Sequence, residues 1–166
     1  IDEWVNHYLS MGAGRIFLID NGSTDDTVAK AQIWVKKGVV ELVQYPERHR
    51  QKQHYWAAFR ALNIARKCEW LLVADLDEFW FCPSGAPIAA RLAEFQDYDV
   101  IYANWRMFGS NGLKMQPASL RRGFTACEPG LASHQVRKYI CRTSVITSEK
   151  SMGVHTVTGA NSSRTI

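Results

Sequence analysis

Asp75-Leu76-Asp77 follows directly on the apolar run Trp70-Leu71-Leu72-Val73-Ala74 and leads into Glu78-Phe79. Two carboxylates two positions apart, at the end of a strand-like run, are costly to leave unpaired, so something cationic has to neutralise them. A hard divalent metal suits the pair best. Ions of the Mg²⁺ type use one or two protein carboxylates and take their other ligands from water and substrate phosphate. Such a site handles a phosphorylated donor. D-x-D taken alone also serves as a strand-end turn and helix cap, but its place after an apolar strand, facing other polar strand ends, favours the functional reading.

Positioning such a pair takes a sheet with its strand ends aligned. Trp4, Val5, Tyr8 and Leu9 share one face of a helix over residues 2–11, which Gly12-Ala13-Gly14 stops. Ile16-Phe17-Leu18-Ile19 reads as a strand covered on both faces. In the turn that follows, Ser23 or Thr24 is the expected cap of a second helix, with Asp25 and Asp26 in its first turn and Gly38 after its end. Further elements are expected as a strand over 39–45, a helix over 51–67, a strand over 70–74, a helix over 88–95 with Pro87 as its first residue, and a strand over 100–105. Residues 109–135 are rich in Gly, Ser, Pro and Asn and read as long loop; 138–146 reads as one or two strands. The expected organisation is one domain over 1–158 and a disordered tail over 159–166. Alternating strands and helices predict an α/β fold with a mostly parallel central sheet and helices on both faces. Ligands of such sheets bind beyond the carboxyl ends of the strands. Asp20-Asn21, Asp75-Leu76-Asp77 and Asn104-Trp105-Arg106 all fall at such ends.

The length of 166 residues suffices for one domain with a real core. A net charge of +4 is too mild to point to nucleic acid. The basic residues are scattered apart from Arg48-His49-Arg50-Gln51-Lys52 and Arg121-Arg122, local patches that suit a small polyanion such as a diphosphate. No run approaches the ~20 apolar residues of a membrane span, and no signal peptide is visible at Ile1. Cys68, Cys82, Cys127 and Cys141 include no C-x-x-C pair, which argues against a zinc ribbon or a thioredoxin-like site. The expected setting is reducing and cytoplasmic, or peripheral at the inner face of a membrane.

Asp20-Asn21-Gly22-Ser23-Thr24-Asp25 followed by Asp75-Leu76-Asp77-Glu78-Phe79 resembles the nucleotide-sugar glycosyltransferases of the GT-A fold, family 2 in the broad sense. Glu3-Trp4 with His7-Tyr8, Gln51 with Tyr55, and the run Asn104-Trp105-Arg106-Met107-Phe108-Gly109-Ser110-Asn111-Gly112 are closer to the branch that includes family 92 and its bacterial relatives. The resemblance covers about residues 2–157. It implies that Asp20 and Asn21 lie near the nucleobase and ribose of a UDP-like donor, with Asp25 and Gln51 on the same donor side. Asp77, and less directly Asp75, would hold Mn²⁺ or Mg²⁺ on the diphosphate, and His155 is the match for a late histidine that completes the metal site. Trp105 and Trp80 are candidates for stacking on a sugar face, against the plainer reading of each as core. Arg48, Arg50 and Lys52 are candidates for the diphosphate, against a solvated loop. An inverting transfer needs a base for the acceptor hydroxyl. Glu128 and Glu149 are the acids left after Asp99, and Glu128, beside the loop region, is the candidate. The implied partners are a nucleotide-sugar donor and a glycan, lipid-linked or protein-linked acceptor. The family pattern also has a strand before the equivalent of Glu3, which the sequence given does not contain.

Two other readings compete. Phosphatases of the haloacid dehalogenase type also place D-x-D after an apolar strand, but they carry Thr or Val two residues after the second Asp, where this chain has Phe79. A non-catalytic nucleotide- or sugar-binding module would need no base and no complete donor site.

Overall fold

The computed structural model describes residues 1–127 and 136–166. The chain opens with α1 (Asp2–Ser10), β1 (Ile16–Asp20), α2 (Thr27–Lys36) and β2 (Val40–Gln44). β1 and β2 pair in parallel, Ile16 opposite Val40 through Asp20 opposite Gln44. Glycine ends both helices for a conformational reason. Gly12 and Gly38 have φ of +90° and +75°, which a side chain would oppose. Trp4, Val5 and Tyr8 of α1, Ile16 and Leu18 of β1, Ala31 and Trp34 of α2, and Val40 of β2 form one core. Burial of such side chains contributes about 1.5–3 kcal/mol each.

Next come α3 (Gln51–Ala61), the short α4 (Ile64–Lys67), β3 (Trp70–Leu72), α5 (Ile88–Arg91) and β4 (Val100–Asn104). The single helix expected over 51–67 is broken, because Asn63 adopts a left-handed backbone with φ 53°. Asparagine tolerates that conformation better than most residues. Pro87 stands just before α5 rather than inside it, and a 3₁₀ turn over Leu92–Phe95 completes the segment. Asp26 precedes α2 without a side-chain cap; the amide of Ser23 donates to Asp20 instead of Ser23 capping the helix.

The region expected as loop contains β5 (Phe108–Gly109), α6 (Leu120–Gly123) and β6 (Ala126–Cys127), with β5 and β6 paired antiparallel. β7 (Arg137–Arg142) then inserts between β3 and β4, antiparallel to both. The sheet order β3-β7-β4 therefore corrects the expectation of a mostly parallel sheet; among the described residues only β1 and β2 pair in parallel. The reason lies in the connections. β3 and β4 run in the same direction and are joined through α5, whereas no described helix between β4 and β7 is long enough for a crossover. Phe59, Val73, Val100, Tyr139, Cys141, Ile146 and Met152 fill the core of this half.

The two sheets do not join. β1 and β3 face a shared cavity of about 1200 Å³, roofed and floored by α1, α3 and α5. This explains why Phe17, Ile19 and all of Trp70–Leu72 are only half-buried, although the run Ile16–Ile19 reads as a strand covered on both faces and the run from Trp70 is equally apolar. Of residues 159–166, expected as a disordered tail, the last three run along the outer edge of β4, with Thr165 bridging Val100. The amides of Asp99 and Tyr102 donate to the carbonyls of Arg164 and Ile166, and Arg164 pairs with Asp99 at 2.8 Å.

Candidate functional site

The insertion of β7 decides the site. β3 and β4 end where β7 begins, so Asp75 beyond β3, Asn104 at the end of β4, and Arg137 and Lys138 at the start of β7 share one edge. Residues 75–78 form a turn closed from both sides. The Asp75 amide donates to Glu78 Oε2 at 2.9 Å, and the Glu78 amide donates to the Asp75 carbonyl at 3.0 Å.

Helix α1 holds this turn from behind. Trp4 Nε1 donates to the Asp75 carbonyl at 2.9 Å, Tyr8 Oη donates to the Glu78 carbonyl at 3.0 Å, and His7 Nε2 donates to the Trp80 carbonyl at 2.7 Å. Burial pushes the pKa of His7 down, against the Trp80 carbonyl, which raises it. The Glu3-Trp4 and His7-Tyr8 pairs thus acquire a physical role. Trp4 and Tyr8 bond the backbone of the acidic turn, His7 bonds the Trp80 carbonyl just after it, and Glu3 bonds the segment 119–121.

The cation demanded by the carboxylates is in the chain itself. Lys138 Nζ lies 3.0 Å from Asp75 Oδ2 and 3.3 Å from Glu78 Oε2, with its side chain only 1% exposed. Gln51 Nε2 donates to Asp75 Oδ1 at 3.3 Å and to the Tyr55 hydroxyl at 2.7 Å. Burial, and then the charge of Asp75, raise the pKa of Tyr55, so its hydroxyl stays protonated. Burial also raises the pKa of Glu78, against the Asp75 amide and Lys138, which lower it. Asp77 is exposed and makes no hydrogen bond or ion pair with the described residues.

Asp20, at the end of β1, is buried and fully engaged. Oδ1 accepts from the Ser23 amide at 3.1 Å, and Oδ2 accepts from the Gly22 amide and Gln44 Nε2 at 3.3 and 3.2 Å. Burial works to raise its pKa, but the bonds from Ser23, Gln44 and Gly22 outweigh it and hold the carboxyl below its ordinary value. Asn21 donates to the Glu47 carbonyl at 3.1 Å and lies 3.2 Å from His54 Nδ1. Asp20, Asn21, Arg50, Gln51, Tyr55 and Asp75 all line the large cavity.

The other candidates lie elsewhere. Asp25 accepts from the Thr27 amide at the start of α2 and is exposed. Trp105 donates its amide to the Val136 carbonyl, and its ring meets His155 edge-on at 5.5 Å. His155 Nδ1 is 3.2 Å from the Arg137 carbonyl. Asp75, Asp77 and His155 do not gather, and among the described residues no three His, Cys, Asp or Glu side chains form a group able to hold a metal ion. Glu128, the candidate base, lies outside the described residues. Asp75 and Asp77 remain, Asp77 with no partner among the described residues, which fits a cation that completes its shell from phosphate and water rather than from an all-protein cage.

Lys138, Glu78 and the α1 clamp were not among the sequence candidates. The available signal was a lone lysine opening the apolar strand Tyr139-Ile140-Cys141, together with the demand for a counter-ion at Asp75.

The described residues form a mixed α/β domain with an acidic turn at a strand edge beside a large cavity. The chain belongs to glycosyltransferase family 92, whose model matches residues 1–165. It is 31% identical over 124 residues to a glycosyltransferase family 92 protein of Ricinus communis, covering 71% of this chain and 22% of that protein. A family 92 protein of Arabidopsis thaliana is 25% identical over 174 residues, covering 92% of this chain and 28% of its own length. The chain thus spans about a quarter of the length of these relatives. No solved structure matches it significantly. The family leaves the phosphatase reading without support. No helix among the described residues is long and apolar enough to cross a membrane.

Proposed function

We propose that this chain carries the donor site of a metal-dependent glycosyltransferase that moves a sugar from a nucleotide diphosphate, UDP favoured, to a hydroxyl acceptor with inversion. The observation that carries the reading is the acidic turn. It presents Asp77 with no partner among the described residues, two positions from Asp75, which lines the cavity together with Asp20, Asn21, Arg50 and Gln51. Asp20, with its oxygens engaged, shapes the strand-end loop, while Asn21 and Gln51, their amide nitrogens engaged, turn amide oxygens to the nucleoside. Arg50 offers a cation for the diphosphate.

Asp77 and Asp75 are the residues that would hold Mn²⁺ or Mg²⁺. When bound, that ion offsets charge on the leaving diphosphate. In the transfer, the acceptor oxygen forms a bond to the anomeric carbon as the carbon–phosphate-oxygen bond breaks. The electron pair leaves with the diphosphate, and the acceptor proton passes to a base, for which Glu128 is the candidate.

The test is thermal denaturation with UDP, Mn²⁺, both and neither. A ligand at about 100 times its Kd stabilises by about 2.7 kcal/mol. UDP and Mn²⁺ are expected to act together, and Asp77→Asn to abolish the metal dependence while leaving the unliganded Tm unchanged. Equal Mn²⁺-dependent shifts in wild type and Asp77→Asn would remove Asp77 from the site.

A further inference from the structure

Lys138 does more than neutralise charge. Its position in β7 is fixed by the ladder, with Ala103 opposite it on β4. Its ammonium, on a side chain only 1% exposed, lies between Asp75 Oδ2 and Glu78 Oε2. A buried ammonium is tolerated only when paired and hydrogen-bonded, and breaking such a pair from one side leaves an uncompensated charge. Asp75 therefore has one oxygen committed inward to Lys138, and its other oxygen accepts from Gln51. Asp77, two residues on, has neither tie.

We propose that Lys138 is a positioning residue that divides the labour of the acidic pair. It claims Asp75 as the internal anchor of the turn and leaves Asp77 as the carboxylate that meets an incoming divalent cation. This rests on reading the turn as the metal–diphosphate site. Two consequences follow from the charges. The ammonium repels a free cation approaching Asp77 and competes for Asp75, so the turn binds free Mn²⁺ weakly. A nucleoside diphosphate brings the negative charge that the turn withholds, so cation and nucleotide bind as a pair.

The experiment measures Mn²⁺ binding directly, from the electron paramagnetic resonance signal of the free ion, with and without UDP. Wild type is expected to bind Mn²⁺ weakly alone and more tightly with UDP. Lys138→Met is expected to bind free Mn²⁺ about 10-fold or more tightly than wild type, because removing a nearby positive charge strengthens attraction in a poorly screened site. Adding Asp75→Asn to Lys138→Met should remove that gain. With UDP present, Asp75→Asn in the wild-type background should weaken Mn²⁺ binding clearly less than Asp77→Asn does. A residue serving only to stabilise the fold would leave free Mn²⁺ affinity unchanged or weaker, and either result in Lys138→Met overturns the proposal. So does an Asp75→Asn loss as large as that of Asp77→Asn. Should Lys138→Met fail to fold, Lys138→Gln keeps an amide donor for Asp75 and Glu78 while removing the positive charge, and its free Mn²⁺ affinity is judged by the same criterion. Retention of Mn²⁺ and UDP binding by Asp77→Asn, or no binding by wild type, instead refutes the reading of the turn itself.

Discussion

Glu3 is the handle by which α1 holds the segment before the undescribed residues, and removing it should release that segment. Its Oε1 accepts from Ser119 Oγ at 2.7 Å and the Arg121 amide at 3.1 Å, and its Oε2 accepts from the Leu120 amide at 2.8 Å. Ser119 Oγ accepts in turn from the Arg122 amide, so the carboxylate organises the whole first turn of α6. A hydrogen bond to a charged group is worth about 1.5–3 kcal/mol on removal. Three that share one partly exposed carboxylate do not add, so Glu3→Ala should weaken docking of the segment by about 2–3 kcal/mol. The loss is local and is best read as amide hydrogen exchange at Leu120 and Arg121. At 1.36 kcal/mol per decade it corresponds to an acceleration of about 30- to 150-fold. The pH dependence has a definite sign. Burial works to raise the Glu3 pKa, but Ser119, Leu120 and Arg121 outweigh it and hold the carboxyl below its ordinary value. Its contribution is therefore complete above the ordinary glutamate range and fades as pH falls through the lowered value. The difference between wild type and Glu3→Ala should be full at pH 7 and shrink towards pH 3. Equal exchange of the two amides in both proteins at pH 7, with α1 amides unchanged as a control, would refute the clamp.

Two further outcomes test the packing around the site. Gly12 has φ +90°, and a Cβ there would stand 2.6 Å from Ala89 Cβ, so Gly12→Ala should lower stability in urea denaturation by about 1–3 kcal/mol; a midpoint equal to wild type would contradict the close approach of α1 to α5. Burial pushes the Cys141 thiol up to about 12. At pH 8 a thiol reagent should modify the half-buried Cys82 and Cys127 first and reach Cys141 only on unfolding; native-state modification of Cys141 at a rate similar to Cys82 would show that the second core is open.

Local pattern carried much of the fold. Apolar spacing in α1, the glycine stops at Gly12 and Gly38, and the run before Asp75 depend on neighbours a few residues apart, and each appears where the pattern places it. Errors arose where a distant segment decides. Asn63 breaks a helix that side-chain periodicity would continue, because backbone handedness at one residue leaves no mark in that periodicity. The half-exposure of Phe17, Ile19 and Trp70–Leu72 follows from the separation of two sheets, which an apolar run cannot report. The tail over 159–166 is polar and looks unstructured in isolation; main-chain bonds to β4, which do not depend on side-chain type, order it.

The sequence by itself determined that Asp75 and Asp77 end a strand, that burying such charge demands a cation, and that the surrounding motifs belong with family 92. Only the tertiary structure decided which cation stands there. β7 returns antiparallel between β3 and β4, and this carries Lys138 from 63 residues away to within 3.0 Å of Asp75. It likewise separated the two carboxylates, tying Asp75 inward and leaving Asp77 with no partner among the described residues. Strand order is set by which edges meet when the chain closes on its core, and neither residue spacing nor composition encodes that meeting.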